Sequence, residues 1–520
     1  MATSTSPTTF SAAQGRWVLA ATILASSMAF IDSSALNTAL PAIQADLGAS
    51  GAELLWIVNG YLLMLAALVL IGGSLGDHLG RKRVFMTGIS IFLLGLVACG
   101  LAPNTGWLIG FRILQGLGGA LMIPGSLAII SAYFLPKQRG QAIGTWSGAT
   151  TIVTVAGPVL GGALADAGLW RGVFLINLPI GLAALWVTFR HVPESRDDTL
   201  SSAVDYPGAL LAIIALAGIT YGLLSGPDRG FDDPLIYGAL LVGIVAAVLF
   251  VVVEMRRPEP MLPLKLFRSP TFSGANLLTL FLYGALSVVT LFLSLNLVQA
   301  QGYSQTLAGF AFMPFVIILA LLSRWAGQLV DHIGPRPPLI VGPLTTAAGF
   351  ALLALVGQTQ GPMAYWTTFF PGVALFGVGM GITVAPLTTT VMGAVPTHYS
   401  GTASGINNAV SRIASVLTIA VLGALALTTF RGNLAHAVAQ IDLTAAERQA
   451  VAAQASQLGD AAVPAQIQGA SAGKVQQAID TSFVDTYQLV LWICAGMAAL
   501  SSLSAALLIR GSLDDGQQAG

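Results

Sequence analysis

Charge is what this sequence has least of. Only 8% of its 520 residues are Asp, Glu, Lys or Arg, against about 25% in an ordinary soluble domain. With 55% hydrophobic residues and a mean hydropathy of +0.80, that scarcity argues against a water-soluble fold. Basic and acidic residues number 22 each, so the balance points neither to nucleic acid nor to an acidic partner. Cysteine is nearly absent. Cys99 and Cys494 sit in separate apolar runs, which excludes a disulfide framework or metal spacing and reads them as small buried hydrophobes. His78, His191, His332, His398 and His436 are scattered, with no two at ligand spacing on one helix face. A phosphate-binding loop, a zinc motif and a nucleophile elbow are also missing. The sequence therefore reads as a non-enzyme that needs no metal or cofactor.

What the chain has in abundance is the apolar run of about 20 residues, the length that crosses a bilayer as a helix. Such runs fall near 17–40, 54–76, 84–102, 107–132, 140–165 and 171–190, then 206–225 and 235–254. They continue at 273–299, 306–330, 338–357, 364–390, 401–427 and 486–510, fourteen in all. The expected fold class is an all-α polytopic membrane protein. The tail 1–16 is polar, and the run after it is too long for a signal-peptide core and lacks a cleavage site, so it is read as a retained helix.

Alternate loops carry the basic residues: GDHLGRKR, FLPKQRG, RHVPESRDD, EMRRPEPMLPLKLFR and DHIGPRP. The opposite loops are nearly free of Lys and Arg apart from 428–485. By the positive-inside rule the basic set is cytoplasmic, together with both termini and the tail 511–520. The segment 428–485 is then an extracytoplasmic loop in which TAAERQAVAAQASQL forms a solvated helix.

The pattern also repeats. GSLGDHLGRKR, Gly73 to Arg83, has a partner in GQLVDHIGPRP, Gly327 to Pro337, and RGQAIG at Arg139 loosely matches YSGTASG at Tyr399. Duplicated halves are a common plan for transporters. The domain reading is an N-terminal six-helix half over 17–190 and a C-terminal six-helix half over 273–510. Two further helices over 206–254 are inserted between them.

Two charges sit inside apolar runs. Asp32, in FIDSSALNTALP, bears an insertion cost of at least about 2.5–3.5 kcal/mol. Arg112, in LIGFRILQGLGGALMIP, faces the same cost. Counting residues from the run ends at 1.5 Å each puts the two within about 4–5 Å in depth. Asp32 is read as a packing group bonded to Ser33, Ser34 or Asn37, or as a direct contact for a cationic substrate, with a third reading given below.

The pattern G-x-L-x-D-x-x-G-R-K, read at Gly73, Asp77, Gly80, Arg81 and Lys82, resembles the signature loop of the major facilitator superfamily. Glycine suits its tight turn, and a carboxylate at a helix end is well placed to meet a neighbouring helix N-terminus. The second copy keeps Gly327, Asp331, Gly334 and Arg336 but has Pro335 where the first has Arg81. AGPVLGG, with Gly157, Pro158, Gly161 and Gly162, would kink a helix and smooth one face. It resembles the antiporter signature of facilitator exporters, with Gly144 at its start and Val153 in place of its second glycine. Asp32, Asn37 and LLWIVNGYLLMLAALVLIGGSLGD, with WRGVFLINLPIG, DYPGALL and PMLPLKLFR, resemble the fourteen-span drug:proton antiporter branch.

The resemblance implies a latch at Asp77, Arg81 and Asp331 and a proton-linked arginine at Arg112, and by setting the first and fourth runs side by side it implies that Asp32 is a proton carrier that gains and loses Arg112. It also implies export of hydrophobic or amphipathic, often cationic, small molecules across the plasma membrane in exchange for protons. The alternative is a proton-coupled metabolite or sugar importer of the same superfamily. No acidic residue lies well inside the later apolar runs, which disfavours dicationic substrates. The expected partners are a small-molecule substrate, protons and the lipid bilayer, with no nucleic acid, and the chain is read as a monomer.

Overall fold

A computed structural model of the chain describes residues 12–134, 136–196, 205–257, 260, 262–396 and 400–510. Among these residues the secondary structure is helical throughout, with no strand. The first bundle contains α1 (Ala12–Leu47), α2 (Gly51–Leu79), α3 (Arg81–Gly100), α4 (Thr105–Tyr133), α5 (Pro136–Asp166) and α6 (Asn177–His191). A hairpin of α7 (Tyr206–Arg229) and α8 (Pro234–Arg256) follows. The second bundle contains α9 (Pro270–Leu295), α10 (Met313–Ile333), α11 (Arg336–Ala354), α12 (Phe369–Gly393), α13 (Ser400–Ala439) and α14 (Ala470–Leu508).

Among the described residues, 13 helices are long and apolar enough to cross a membrane. α5 stands outside that set; several of its side chains lie outside the described residues. Of the expected tails, 1–11 and 511–520 lie outside the described residues, while 12–16 are the first residues of α1.

Local chemistry sets the helix starts. Ser50 and Glu53 form a reciprocal cap on α2, and Asn104, Asp205, Asp233 and Ser269 accept backbone N–H bonds at the starts of α4, α7, α8 and α9. Gly80 turns the chain between α2 and α3 at φ +107°, which a Cβ would strain, and an added Cβ would also press on the Glu194 carboxyl. That carboxyl, rather than Asp77, meets the α3 N-terminus: Glu194 Oε1 accepts from Lys82 N at 2.9 Å and Oε2 from Arg83 N at 3.2 Å.

Arg81 N donates to the Ser195 carbonyl at 2.8 Å, which joins the basic α2–α3 turn to the basic stretch after α6 at one end of the molecule, here the basic-loop end. The α7–α8 hairpin is tied there by Asp205, which pairs with Arg257 at 3.0 Å, and by Glu254, which accepts from Leu262 N at 2.8 Å. The hairpin packs against α2 and α13, bridging the bundles. The apolar side chains of α8 point outward, among them Leu241, Val242, Ile244, Val248 and Leu249. An exposed apolar face of this size needs lipid against it.

The opposite, far end differs from expectation in one region. The segment 428–485 is largely helix: α13 runs on to Ala439, a short helix follows at Ala445–Gln454, and α14 begins at Ala470. Its alanine, glutamine and glutamate content favours helix wherever the chain leaves the membrane. The segment also packs inward. Val451, Ala455 and Leu458 are buried, and Gln457 offers its carbonyl to Gln44 Nε2 at 2.8 Å.

Candidate functional site

Asp32 of α1 and Arg112 of α4 are in contact. Arg112 Nη1 donates to Asp32 Oδ2 at 2.6 Å, and the side chains are 0% and 1% exposed. The same Nη1 donates to Gln115 Oε1 at 2.6 Å, and Nε donates to the Ile57 carbonyl at 3.1 Å. The guanidinium lies over the Tyr61 ring, 4.6 Å from its centroid. This arrangement depends on close helix approach, since a Cβ on Gly116 would run into the Tyr61 carbonyl of α2. No side-chain bond from Ser33, Ser34 or Asn37 reaches Asp32; Ser34 Oγ donates instead to the Phe30 carbonyl. Asp32 Oδ1 is buried and has no hydrogen-bond partner among the described residues. Removing either member of such a pair typically costs about 3–5 kcal/mol, because the other charge is left uncompensated. One carboxylate oxygen is thus neutralised by Arg112 and the other is bare.

The pair stands at the wall of a central cavity of about 150 Å³. The first bundle contributes Ser33, Asn37, Tyr61 and Arg112, and the second contributes Ser287 and Arg412. Asp32 is behind this wall and Arg112 is in it, so Asp32 has no direct face on the cavity. Asn37 lines the space, and its carbonyl accepts from Ser294 Oγ of α9 at 2.9 Å. Ser287 of α9 and Ser415 of α13 share a hydrogen bond of 2.6 Å across the second bundle. Arg412 did not emerge from the sequence reading. Its signal was available: it is a lone basic residue well inside the apolar run 401–427.

The AGPVLGG stripe of α5 forms a seam. A Cβ on Gly161 would overlap the Ala35 backbone of α1, one on Gly157 would overlap Ser34, and one on Gly162 would overlap Gln305 of the second bundle. The Pro158 carbonyl accepts from Thr38 Oγ1 at 2.9 Å, and a Cβ on Gly309 would press against it. Next to this seam, Asp166 accepts from Gln305 N and Thr306 N at 2.8 Å each, a carboxylate capping a helix of the other bundle. Gln299 Nε2 donates to Gln44 Oε1 at 2.9 Å. These bonds between the bundles all lie toward the far end. By contrast Gly144, at the start of the signature, has open space around it.

The signature loop closes on itself. Arg81 Nε donates to Asp77 Oδ1 at 2.8 Å, one helical turn apart, and Arg81 N donates to the Ser195 carbonyl at 2.8 Å. Among the described residues, neither Asp77 nor Arg81 bonds to the second bundle. Gly73 faces Pro124 of α4 at the distance of an ordinary contact, 3.8 Å for an added Cβ. Lys82 Nζ donates to the Phe189 carbonyl at 2.9 Å. The Asp331 side chain lies outside the described residues.

A sequence profile of the Major Facilitator Superfamily matches residues 22–419. The chain belongs to the major facilitator superfamily. Among curated relatives, the chain is 35% identical over 412 residues to multidrug resistance protein Stp of Mycobacterium tuberculosis, covering 78% of this chain and 75% of that protein. It is 32% identical over 489 residues to the tetracenomycin C resistance and export protein of Streptomyces glaucescens, covering 93% of this chain and 89% of the relative. The fold is similar to a bacterial homologue of the human lysosomal transporter Spinster, solved inward-facing and occupied, with a TM-score of 0.68 at 18% identity and coverage of 97% and 99%. A D-xylose–proton symporter gives 0.62 at 15% identity, covering 95% of this chain and 98% of its own. This facilitator chain is therefore a multi-pass membrane transporter with an all-helical fold.

Proposed function

We propose that this facilitator exports hydrophobic or amphipathic small molecules across the plasma membrane in exchange for protons. The reading takes the fold as fourteen spans, counting α5, with two six-helix halves and an inserted pair. The basic-loop end is cytoplasmic, and both termini lie there. The observation that carries the reading is the buried Asp32–Arg112 pair set directly behind a cavity shared by both bundles. A carboxylate with one oxygen on an arginine and the other bare is a proton site whose affinity depends on whether the arginine stays in place. Rocking of the bundles about the far-end seam would alter that contact and expose the cavity to each side in turn.

The export direction is supported by the curated relatives, which carry resistance and export names, and by the AGPVLGG seam. The likeness to a xylose symporter is a likeness of fold only and gives import no separate support. Purified protein reconstituted in vesicles tests the reading. An imposed proton gradient should drive an amphipathic substrate uphill, and a gradient-independent flux would reject the exchange.

Two further outcomes follow from this reading. With the hairpin crossing twice, Asp228 and Arg229 face outside and Arg256 faces inside. A cysteine at position 229 should react with an external, membrane-impermeant maleimide, and one at position 256 only after permeabilisation. The reverse labelling would invert the assigned topology. At the loop, Asp77→Asn should lower transport severalfold while surface expression stays unchanged. The Asp77–Arg81 ion pair is itself part-exposed and worth about 0–1 kcal/mol, so a large transport defect would report a conformational role and not lost stability. Wild-type efflux in that variant would remove Asp77 from the cycle.

A further inference from the structure

Each charge on the cavity wall has a partner except one. Arg112 is neutralised by Asp32 at 2.6 Å. Arg412 of α13 lines the same space and makes no ion pair or hydrogen bond among the described residues. Among the described residues no acidic side chain lines the cavity, and Asp32 is behind the wall and already engaged by Arg112. An arginine within a membrane-spanning helix carries a desolvation cost that is offset when it faces a water-filled path and meets a counter-charge there. Around it are the Ser33 hydroxyl and the Asn37 amide, able to hydrogen-bond an oxygen-rich ligand, and Ser287 and Ser415, which already share a hydrogen bond of 2.6 Å. The rest of the wall is apolar, with Leu36, Val58, Leu62, Leu291 and Ile419.

We infer that the central cavity selects amphipathic substrates bearing an acidic group, a carboxylate, sulfonate or ionised phenol, with Arg412 as the counter-charge and the aliphatic wall holding the ring system. This rests on the cavity being the transport site, as proposed above, and it narrows the substrate class. It also runs against the cationic substrates that the sequence resemblance implies. A guanidinium presents a planar fork of donors that matches a carboxylate or sulfonate, whereas a cationic ligand in the same low-dielectric space is repelled by it. Three anionic groups share this recognition, so the experiment tests charge.

Three probes with one ring system isolate the charge: 2-naphthoate, 2-naphthalenemethanol and 2-naphthylmethylammonium. Their equilibrium binding is measured on full-length protein in lipid nanodiscs, with empty nanodiscs subtracted. Wild type should bind naphthoate about tenfold more tightly than the alcohol, and the ammonium more weakly than either. Arg412→Gln should lose the preference for naphthoate while its affinity for the alcohol is unchanged, and Arg412→Lys should keep most of it. Alcohol binding that persists in Arg412→Gln also certifies that the variant is folded. If the ammonium binds wild type as tightly as naphthoate, or if the preference survives in Arg412→Gln, the inference is overturned while the cavity reading stands. If no probe binds above empty nanodiscs, the cavity is not the binding site and the inference falls with it.

Discussion

Asp32→Asn is expected to reduce proton-driven efflux to that of vesicles lacking the protein, while equilibrium binding of substrate survives. The asparagine is nearly isosteric and can still accept a hydrogen bond from Arg112, so the helix contact between α1 and α4 is kept. What it cannot do is take up and release a proton. Asp32 has no face on the cavity and Arg112 stands between them, so binding should depend little on the substitution. Arg112→Ala is expected to stop transport as well, for a different reason. It leaves Asp32 buried without its counter-charge, at a typical cost of about 3–5 kcal/mol. A lower melting temperature should accompany both variants, because each leaves the other charge buried and uncompensated, and surviving substrate binding shows that Asp32→Asn is folded. Uphill transport by Asp32→Asn under a proton gradient would show that the coupling site is elsewhere.

The second large effect is expected at the α5 seam. Gly162→Leu inserts a side chain where even a Cβ would overlap the Gln305 backbone of the other bundle. Overpacking of a tight contact typically costs about 1–3 kcal/mol. Because this contact joins the bundles at the far end, the penalty falls on the state in which that end is sealed. A bias of that size shifts a two-state equilibrium by about 5–150-fold. Distances between spin labels on the far-end tips of α1 and α9 should lengthen in Gly162→Leu, and transport should fall to a small fraction of wild type. Gly144→Leu is the internal control. It belongs to the same signature but has open space around its Cβ, so it should leave both readouts near wild type. Unchanged distances in Gly162→Leu would mean that the seam does not gate the far end.

Asp32 and Arg112 could be matched by counting residues along two apolar runs, because depth in a straight helix is a local property. That the two side chains turn toward each other is not local, since it depends on the rotation of α1 and α4 about their axes. The glycines of AGPVLGG announced a close-packed face, yet their partners, Ser34, Ala35 and Gln305, come from helices far away in sequence. Asp77 ends α2 as a carboxylate suited to capping a neighbouring helix, but Glu194, brought back by the end of α6, caps α3 and leaves Asp77 to Arg81. Arg412 is a single charge in an apolar run with no motif around it, and its place on the cavity wall depends on how α13 is rotated.

By itself the sequence determined that this protein is helical, that its helices are long and apolar enough for a membrane, and that basic loops alternate along the chain. Those properties follow from hydropathy, length and turn chemistry, which are written in contiguous residues. Only the tertiary structure decided which side chains share the central cavity, which helices form the far-end seam, and that the segment 428–485 continues as helix and packs back over the mouth of α1 and α2. Inside a membrane every backbone group is satisfied within its own helix, so local sequence is enough to specify the helices. Their association rests on small-residue contacts and a few buried polar pairs, and these exist only once distant parts of the chain meet.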